Sequence, residues 1–255
     1  MKIVICAKQV PDTTEVHMTP EFTLQRDFVA QVINPADESA LEAGLRLRDE
    51  TGGEALIVTM GPRGAETMLR GALARGADGA VHMTDTAFAG ADTLVTAKCL
   101  AAAIRRLGMP DLILCGRRAA DGETGQVGPM LAALLGIPCV TNALEIKARQ
   151  DGFDIRQLHE KGENLYHAPA PALVTLCEWS YPLRLPTVAG LRKAAKADIR
   201  VLDRESLELP REACGITASP TRVIRVEAKS TGVRPCRKAS PEEALRWLRE
   251  GGLLS

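Results

Sequence analysis

Aromatic side chains are scarce in this chain: Phe, Trp and Tyr together make up 3% of it. Its core must therefore be closed with Ala, Leu, Val and Ile. An excess of charge is also missing, because Lys plus Arg and Asp plus Glu each number 32. That balance excludes the broad positive face needed to displace counterions from nucleic acid. The seven cysteines include no CxxC pair, which leaves neither a zinc site nor an iron–sulfur cluster supported. Four of them (Cys6, Cys115, Cys139 and Cys177) lie in or beside apolar runs, where a thiol is expected as a small core residue. Their odd number and scatter point to reduced thiols in a cytoplasm-like compartment. No charged-then-apolar leader opens the chain, and no apolar run is long enough to span a bilayer. A cytoplasmic protein without membrane insertion is expected. Hydrolytic signatures are lacking too: there is no GxSxG elbow, and His17, His82, His159 and His167 follow no ligand or triad spacing. His82, on an apolar strand, reads as a hydrogen-bonded structural residue. No metal site and no side-chain catalyst are expected.

What is present is alternation. Ile3–Ala7, Ala55–Met60, Ala80–Met83, Asp111–Cys115 and Leu173–Cys177 read as short buried strands. Helix-like stretches separate most of them, around Ala65–Ala74, Ala91–Leu107 and Met130–Leu135. A further helix begins at Asn34-Pro35-Ala36-Asp37: Asn34 can cap, Pro35 suits the first turn, and Asp37 favours the positive helix end. Such a pattern implies right-handed βαβ crossovers and a doubly wound, mostly parallel α/β sheet. Ligands of such sheets bind beyond the carboxyl ends of the strands. Cys6-Ala7-Lys8, Met60-Gly61-Pro62 and Cys115-Gly116-Arg117 all lie at those ends. Asp12–Ile33 has hairpin-like alternation around Thr19-Pro20-Glu21, and a second hairpin is expected around Asp151-Gly152. After Glu178 prolines become frequent and periodicity fades, as in a tail that packs on something else, before a short helix at Pro241–Arg249.

The most informative stretch runs from Gly116 to Pro129. Gly116, Arg117, Arg118, Ala119, Ala120, Asp121, Gly122, Glu123, Thr124, Gly125, Gln126, Val127 and Gly128 follow a strand and open a helix. Glycines there let backbone approach a ligand, and a helix start offers unpaired N–H groups to an anion. A phosphate cradle and a tight strand–helix turn both fit the spacing. The glycines at 122, 125 and 128 match neither GxGxxG nor the P-loop. Asp121 and Glu123 read as acid–base partners, or as residues that orient the loop and accept ribose hydrogen bonds. Lys8 and Arg117 read as partners of a phosphate or carboxylate, or as solvated loop charges. Around Ala87–Thr96, Asp92 or Thr93 reads as a helix N-cap, or as a donor set beside a cofactor. Arg192–Lys196 reads as a solvated helix face, or as a partner-docking element.

Together, Val4–Thr13, Asn34–Asp37, Thr59–Pro62, the 116–129 loop and Gly190–Lys196 resemble the β subunit of electron transfer flavoproteins over nearly the whole chain. The resemblance implies a heterodimer with an α subunit that carries the electron-transferring FAD. It also implies a β-subunit crevice holding structural AMP or, in electron-bifurcating members, a second FAD. The pattern of residues 121–129, with Gln9–Thr13 and Phe88–Leu94, looks like the bifurcating group. By position, Cys6, Asn34, Pro35, Ala36, Asp37 and Met60 are then expected to border the adenosine. Residues 116–127 are expected to cradle phosphates and ribose, and Asp92, Thr93 and Thr96 to approach the rest of a flavin. Ala36 stands where the family has a larger residue, and Arg118-Ala119-Ala120 replaces Gln-Ala-Ile. Val188 matches a leucine by which the family's protruding loop anchors on acyl-CoA dehydrogenases, and Lys193 is expected to dock partners with it.

The expected organisation is an α/β nucleotide- or flavin-binding domain at 1–180 and an extended partner-packing arm at 181–255. The expected activity is electron transfer from NADH. One electron would go through the α-subunit FAD to an acyl-CoA dehydrogenase-like or quinone-reductase partner, the other to ferredoxin or flavodoxin. A single-flavin carrier with structural AMP is the alternative, and a stand-alone ATP-binding or ATP-hydrolysing protein is the alternative from another class.

Overall fold

The computed structural model describes residues 1–12, 30–224 and 238–254. The apolar runs become β1 (Lys2–Cys6), β4 (Glu54–Met60), β5 (Gly79–Met83), β6 (Leu112–Gly116) and β10 (Ala172–Leu176). Between them lie β2 (Gln9–Pro11) and β3 (Gln31–Ile33), which pair antiparallel as a separate ribbon. The turn expected around Thr19-Pro20-Glu21 lies outside the described residues. The helices are α1 (Pro35–Thr51), α2 (Glu66–Ala74), α3 (Thr93–Leu107) and α4 (Val127–Leu135). Then come β7 (Cys139–Arg149), β8 (Gly152–His159), β9 (Gly162–Pro169), α5 (Val188–Lys196), β11 (Arg200–Leu202) and α6 (Gly215–Ala218).

One nine-stranded sheet results, in the order β11-β5-β4-β1-β6-β10-β7-β8-β9. Pairing is parallel from β11 to β7 and antiparallel from β7 to β9. The apolar runs are continuous because both faces are covered. Ile3 and Ile5 of β1, with Leu112 and Leu114 of β6, point to a core shared with α1, α2 and α5. Their neighbours Val4, Cys6, Ile113 and Cys115 point to a second core, shared with α3 and α4. Ala at 36, 40 and 43 lets α1 lie close to the sheet without aromatic filler.

Two strands go beyond the sequence expectation. β9 is exposed on both faces over most of its length, so it carries no period-two signal for sequence to show. β11 comes from the proline-rich tail and adds to the far edge beside β5. The tail is thus partly ordered: α5 packs on α2, where the Arg70 guanidinium donates to the Ala194 carbonyl at 2.7 Å. Cys139 corrects another expectation. Cys6, Cys115 and Cys177 are buried, but Cys139 opens β7 at an exposed position. His82 behaves as expected, buried with Nε2 at 3.1 Å from the Pro62 carbonyl.

The chain divides into two compact units, Met1–Arg222 and Val223–Ser255. Within the second, α7 (Pro241–Glu250) starts on a capping box. The Ser240 hydroxyl accepts from the Glu243 amide at 3.2 Å, and the Glu243 carboxylate accepts from the Ser240 amide at 3.0 Å. Among the described residues, no helix is long and apolar enough to cross a membrane.

Candidate functional site

The sheet reverses its winding between β1 and β6. β4 and β5 extend one way from β1, and β6 and β10 extend the other. The carboxyl ends of β1 and β6 lie side by side, with Cys6 in register with Cys115. That is where doubly wound sheets open a crevice, and the residues at 6–8, 34–37 and 116–121 meet there.

Asp37 ties the two strand ends together. One carboxylate oxygen accepts the Lys8 amide at 2.8 Å, and the other accepts the Gly116 amide at 2.7 Å. The side chain is buried, and burial outweighs those hydrogen bonds, raising its pKa to about 7. Gly116 is required by this closeness. A Cβ there would sit 2.5 Å from Asp37 Oδ1 and 2.6 Å from the Ala36 Cβ. A residue larger than alanine at 36 would crowd the same spot.

Asn34 does not cap α1 with its side chain. It reaches across to the glycine loop instead: its amide donates to the Arg118 carbonyl at 2.9 Å, and its Oδ1 accepts the Ala120 amide at 3.0 Å. Pro35, at the first helical position, removes one donor from the helix start. The sequence offered the N-cap role as the local choice, and the tertiary contact won.

The loop is held by charge as well. Lys8 Nζ lies 2.7 Å from both Asp121 oxygens, and the Asp121 side chain is 13% exposed in an otherwise exposed residue. Glu178, just past β10, pairs with Arg117 at 2.6 Å and Arg118 at 3.1 Å. Burial raises the Glu178 carboxyl, but its hydrogen bonds and the two guanidinium charges outweigh this and hold it below the usual carboxylate range. Glu178 escaped the sequence reading. Its signal was positional, since an acid directly after a strand next to β6 must lie at the same sheet edge.

Three glycines of the loop have three different jobs. Gly125 has φ +62°, a left-handed conformation that favours glycine. A Cβ on Gly128 would fall 2.6 Å from Thr175, so this glycine lets the start of α4 press on the sheet. A Cβ on Gly122 would meet nothing within 4 Å, so that side of the loop faces open space. Glu123 and Thr124 are exposed. Val127 begins α4, whose first turn directs backbone N–H groups toward the loop.

The second loop joins through one contact. Thr93 donates to the Gln126 side-chain oxygen at 2.9 Å. Asp92 is the α3 cap, accepting the Val95 amide at 3.0 Å. Its other oxygen accepts the Thr221 amide at 3.1 Å and the Thr221 hydroxyl at 2.8 Å. Asp92 thereby fastens the arm segment at 219–221 to the start of α3. Thr96 sits in the first turn, its amide bonded to the Asp92 carbonyl. Met60 is half-buried at the end of β4. Cys6 is buried, and burial, followed by the nearby Asp37, pushes its thiol up to about 12, which favours the neutral thiol.

Beside the loop, a cleft of about 250 Å³ is lined by Arg117, Arg118, Gly125, Thr141, Asn142 and Thr175. Thr141, Asn142 and Thr175 are additions to the expected set. Asn142 takes φ +55°, a conformation Asn tolerates better than most residues, and its amide donates to the Thr175 hydroxyl at 3.1 Å. Val188 and Lys193 lie apart from the crevice, exposed on α5.

A glycine loop clamped at the switch point of a doubly wound sheet defines a Rossmann-like α/β protein, the architecture that binds nucleotides at this crevice. Comparison with known proteins narrows the class. The electron transfer flavoprotein domain matches residues 22–207, and the chain belongs to that family. It is 40% identical over 233 residues to an electron transfer flavoprotein subunit beta of Thermoanaerobacterium thermosaccharolyticum, covering 91% of this chain and 89% of that one. It is 42% identical to the caffeyl-CoA reductase-Etf complex subunit CarD of Acetobacterium woodii, covering 88% and 87%. With the acryloyl-CoA reductase electron transfer subunit gamma of Anaerotignum propionicum it shares 39% identity, covering 88% and 87%.

Proposed function

We propose that this chain is the β subunit of a heterodimeric electron transfer flavoprotein whose crevice binds FAD noncovalently. The observation that carries this reading is the clamp at the switch point. Asp37 and Asn34 hold the ends of β1 and β6 and the first turn of the glycine loop in one fixed arrangement. Bound there, FAD would accept a hydride from NADH and pass single electrons onward. This chain's part is positioning. Cys6, Ala36 and Met60 would wall the adenosine. Residues 116–127 would hold phosphates and ribose through backbone N–H groups, and Asp92, Thr93 and Thr96 would approach the remainder of the flavin. Arg117 and Arg118 are already paired with Glu178, so backbone donors carry more of the anion binding than side-chain charge does.

The open side of Gly122 supports a long ligand, because no atom of the described residues lies within 4 Å of where its Cβ would be. Relatives named for caffeyl-CoA and acryloyl-CoA reductases support a dehydrogenase partner acting on CoA esters. The bifurcating reading, with ferredoxin or flavodoxin as the low-potential acceptor, rests on the sequence pattern of residues 121–129. The second reading is structural AMP in a single-flavin carrier, which the resemblance also allows. Cofactor stoichiometry of the purified αβ complex decides between them: two FAD are expected, and one FAD with one AMP would establish the second reading.

A further inference from the structure

Against α1, a small cavity of about 120 Å³ is lined by Pro35, Glu38, Ser39, Trp179, Tyr181, Pro182 and Leu183. Three of its features lack an explanation among the described residues. Ser39 is 1% exposed and its hydroxyl has no hydrogen-bond partner among them. Glu38 is half-buried and has no ion-pair partner within 4 Å among the described residues. Burial raises its carboxyl above the usual range despite the Arg75 charge nearby. Trp179 is 80% exposed at the rim and takes φ +61°, a left-handed conformation that costs a bulky residue about 1–3 kcal/mol.

Arg75 acts on Glu38 through space, but no neighbouring cation among the described residues forms an ion pair with it. Arg75 donates to the Gly71 and Arg184 carbonyls. Arg184 is held by Glu42 and Asp49, at 2.9 and 2.8 Å. Arg46 pairs with Glu42 at 2.8 Å and lies 5.4 Å from the centre of the Tyr181 ring. Arg46 and Arg184 are therefore spent on the α1–arm junction and Arg75 on carbonyls. Among the described residues, a carboxylate without an ion pair and an exposed indole thus line one cavity, with the unpartnered Ser39 hydroxyl buried in its wall.

That combination selects a cation. An ammonium or guanidinium group satisfies a carboxylate and a hydroxyl by donating, and it is attracted to the face of an indole. Size selects its source. The cavity is far smaller than the ~300–1,000 Å³ of a metabolite pocket, so it fits the head of a side chain. An exposed Trp beside such a pocket is the usual composition of a binding hot spot.

We propose that this cavity receives a lysine or arginine side chain of the partner subunit, held by Glu38 and Ser39 beneath the Trp179 ring. The assignment of the occupant to a partner subunit rests on the heterodimer reading above.

The test uses the full chain labelled with 5-fluorotryptophan, in which Trp179 and Trp247 are the two reporters and Trp247→Phe assigns them. Two arms are read by fluorine NMR. In the first, N-acetyl-argininamide is expected to shift the Trp179 signal saturably. The neutral citrulline analogue should not, and Glu38→Gln should abolish the response. An equal response to both probes, or none to arginine, overturns the cationic site. In the second arm, unlabelled α subunit is added. The Trp179 signal is expected to shift, and Glu38→Gln to weaken the complex about tenfold, which equals about 1.4 kcal/mol. A complex that forms while Trp179 stays unchanged overturns this proposal and leaves the heterodimer reading intact. If no complex forms at all, the heterodimer reading falls and the partner-subunit occupant falls with it.

Discussion

Replacing Gly116 with alanine adds one methyl group at the point where α1 and β6 approach most closely. The new Cβ would lie 2.5 Å from Asp37 Oδ1, 2.6 Å from the Ala36 Cβ and 2.8 Å from the Ala36 carbonyl carbon. All three belong to α1, and the two atoms of Ala36 are fixed to its backbone, so the strain cannot be relieved by a side-chain rotation alone. Forcing a methylene-sized group into a packed interior costs about 1–3 kcal/mol. If Asp37 swings away, the Lys8 and Gly116 amides lose a carboxylate acceptor, at about 1.5–3 kcal/mol for a bond to a charged group. Part of the strain is relieved by that movement, so a destabilisation of about 3–4 kcal/mol is expected. Gly122→Ala is the internal control. It adds the same methyl six residues along the same loop, where a Cβ meets nothing within 4 Å, so its effect should stay within about 0.5 kcal/mol. Urea unfolding of the three proteins, compared at constant m-value, measures both. Equal midpoints for Gly116→Ala and Gly122→Ala would refute the argument that Asp37 and Ala36 fill the space beside Gly116.

Three further outcomes follow from the same geometry. The Asp37 carboxyl is raised to about 7 from an ordinary value of 3.8, so the folded state binds its proton more tightly than the unfolded state does. Its stabilising contribution is full below about pH 4 and is lost as pH rises through about 7. The stability difference between the native chain and Asp37→Asn should shrink over that window, and one that grows with pH would contradict the assignment. Asn34→Ala should speed hydrogen exchange at the Ala120 amide, which bonds the Asn34 side chain. It should leave the Glu38 amide, which bonds the Asn34 backbone carbonyl, unchanged; the reverse pattern would restore the helix-cap role. Gly190→Ala would place a Cβ 2.1 Å from the Ala74 carbonyl oxygen and should lift the start of α5 from α2 at about 1–3 kcal/mol. The readout is exchange protection across residues 188–196, and unchanged protection would show that α5 does not depend on this contact.

What the sequence by itself determined is local. The runs that become β1, β4, β5, β6 and β10 are buried on both faces, so their hydrophobicity is continuous and readable. The Asp92 cap on the Val95 amide and Pro35 at the first position of α1 are local features, which spacing can anticipate. The 116–129 loop was visible for the same reason, as a strand, a set of glycines and a helix in succession. The tertiary structure decided which distant groups meet. Asn34 looked like a cap, yet its side chain bonds to residues 118 and 120. Asp37 looked like a helix-dipole residue, yet it joins two strand ends. Glu178 looked only like the start of the proline-rich tail, yet it pairs with two arginines of the loop. Each of these contacts spans dozens of residues and exists because the sheet places β6 between β1 and β10. Strand order arises from the packing of whole helices and strands against one another. No window of sequence contains it, so local pattern could locate the loop but could not name the side chains that hold it.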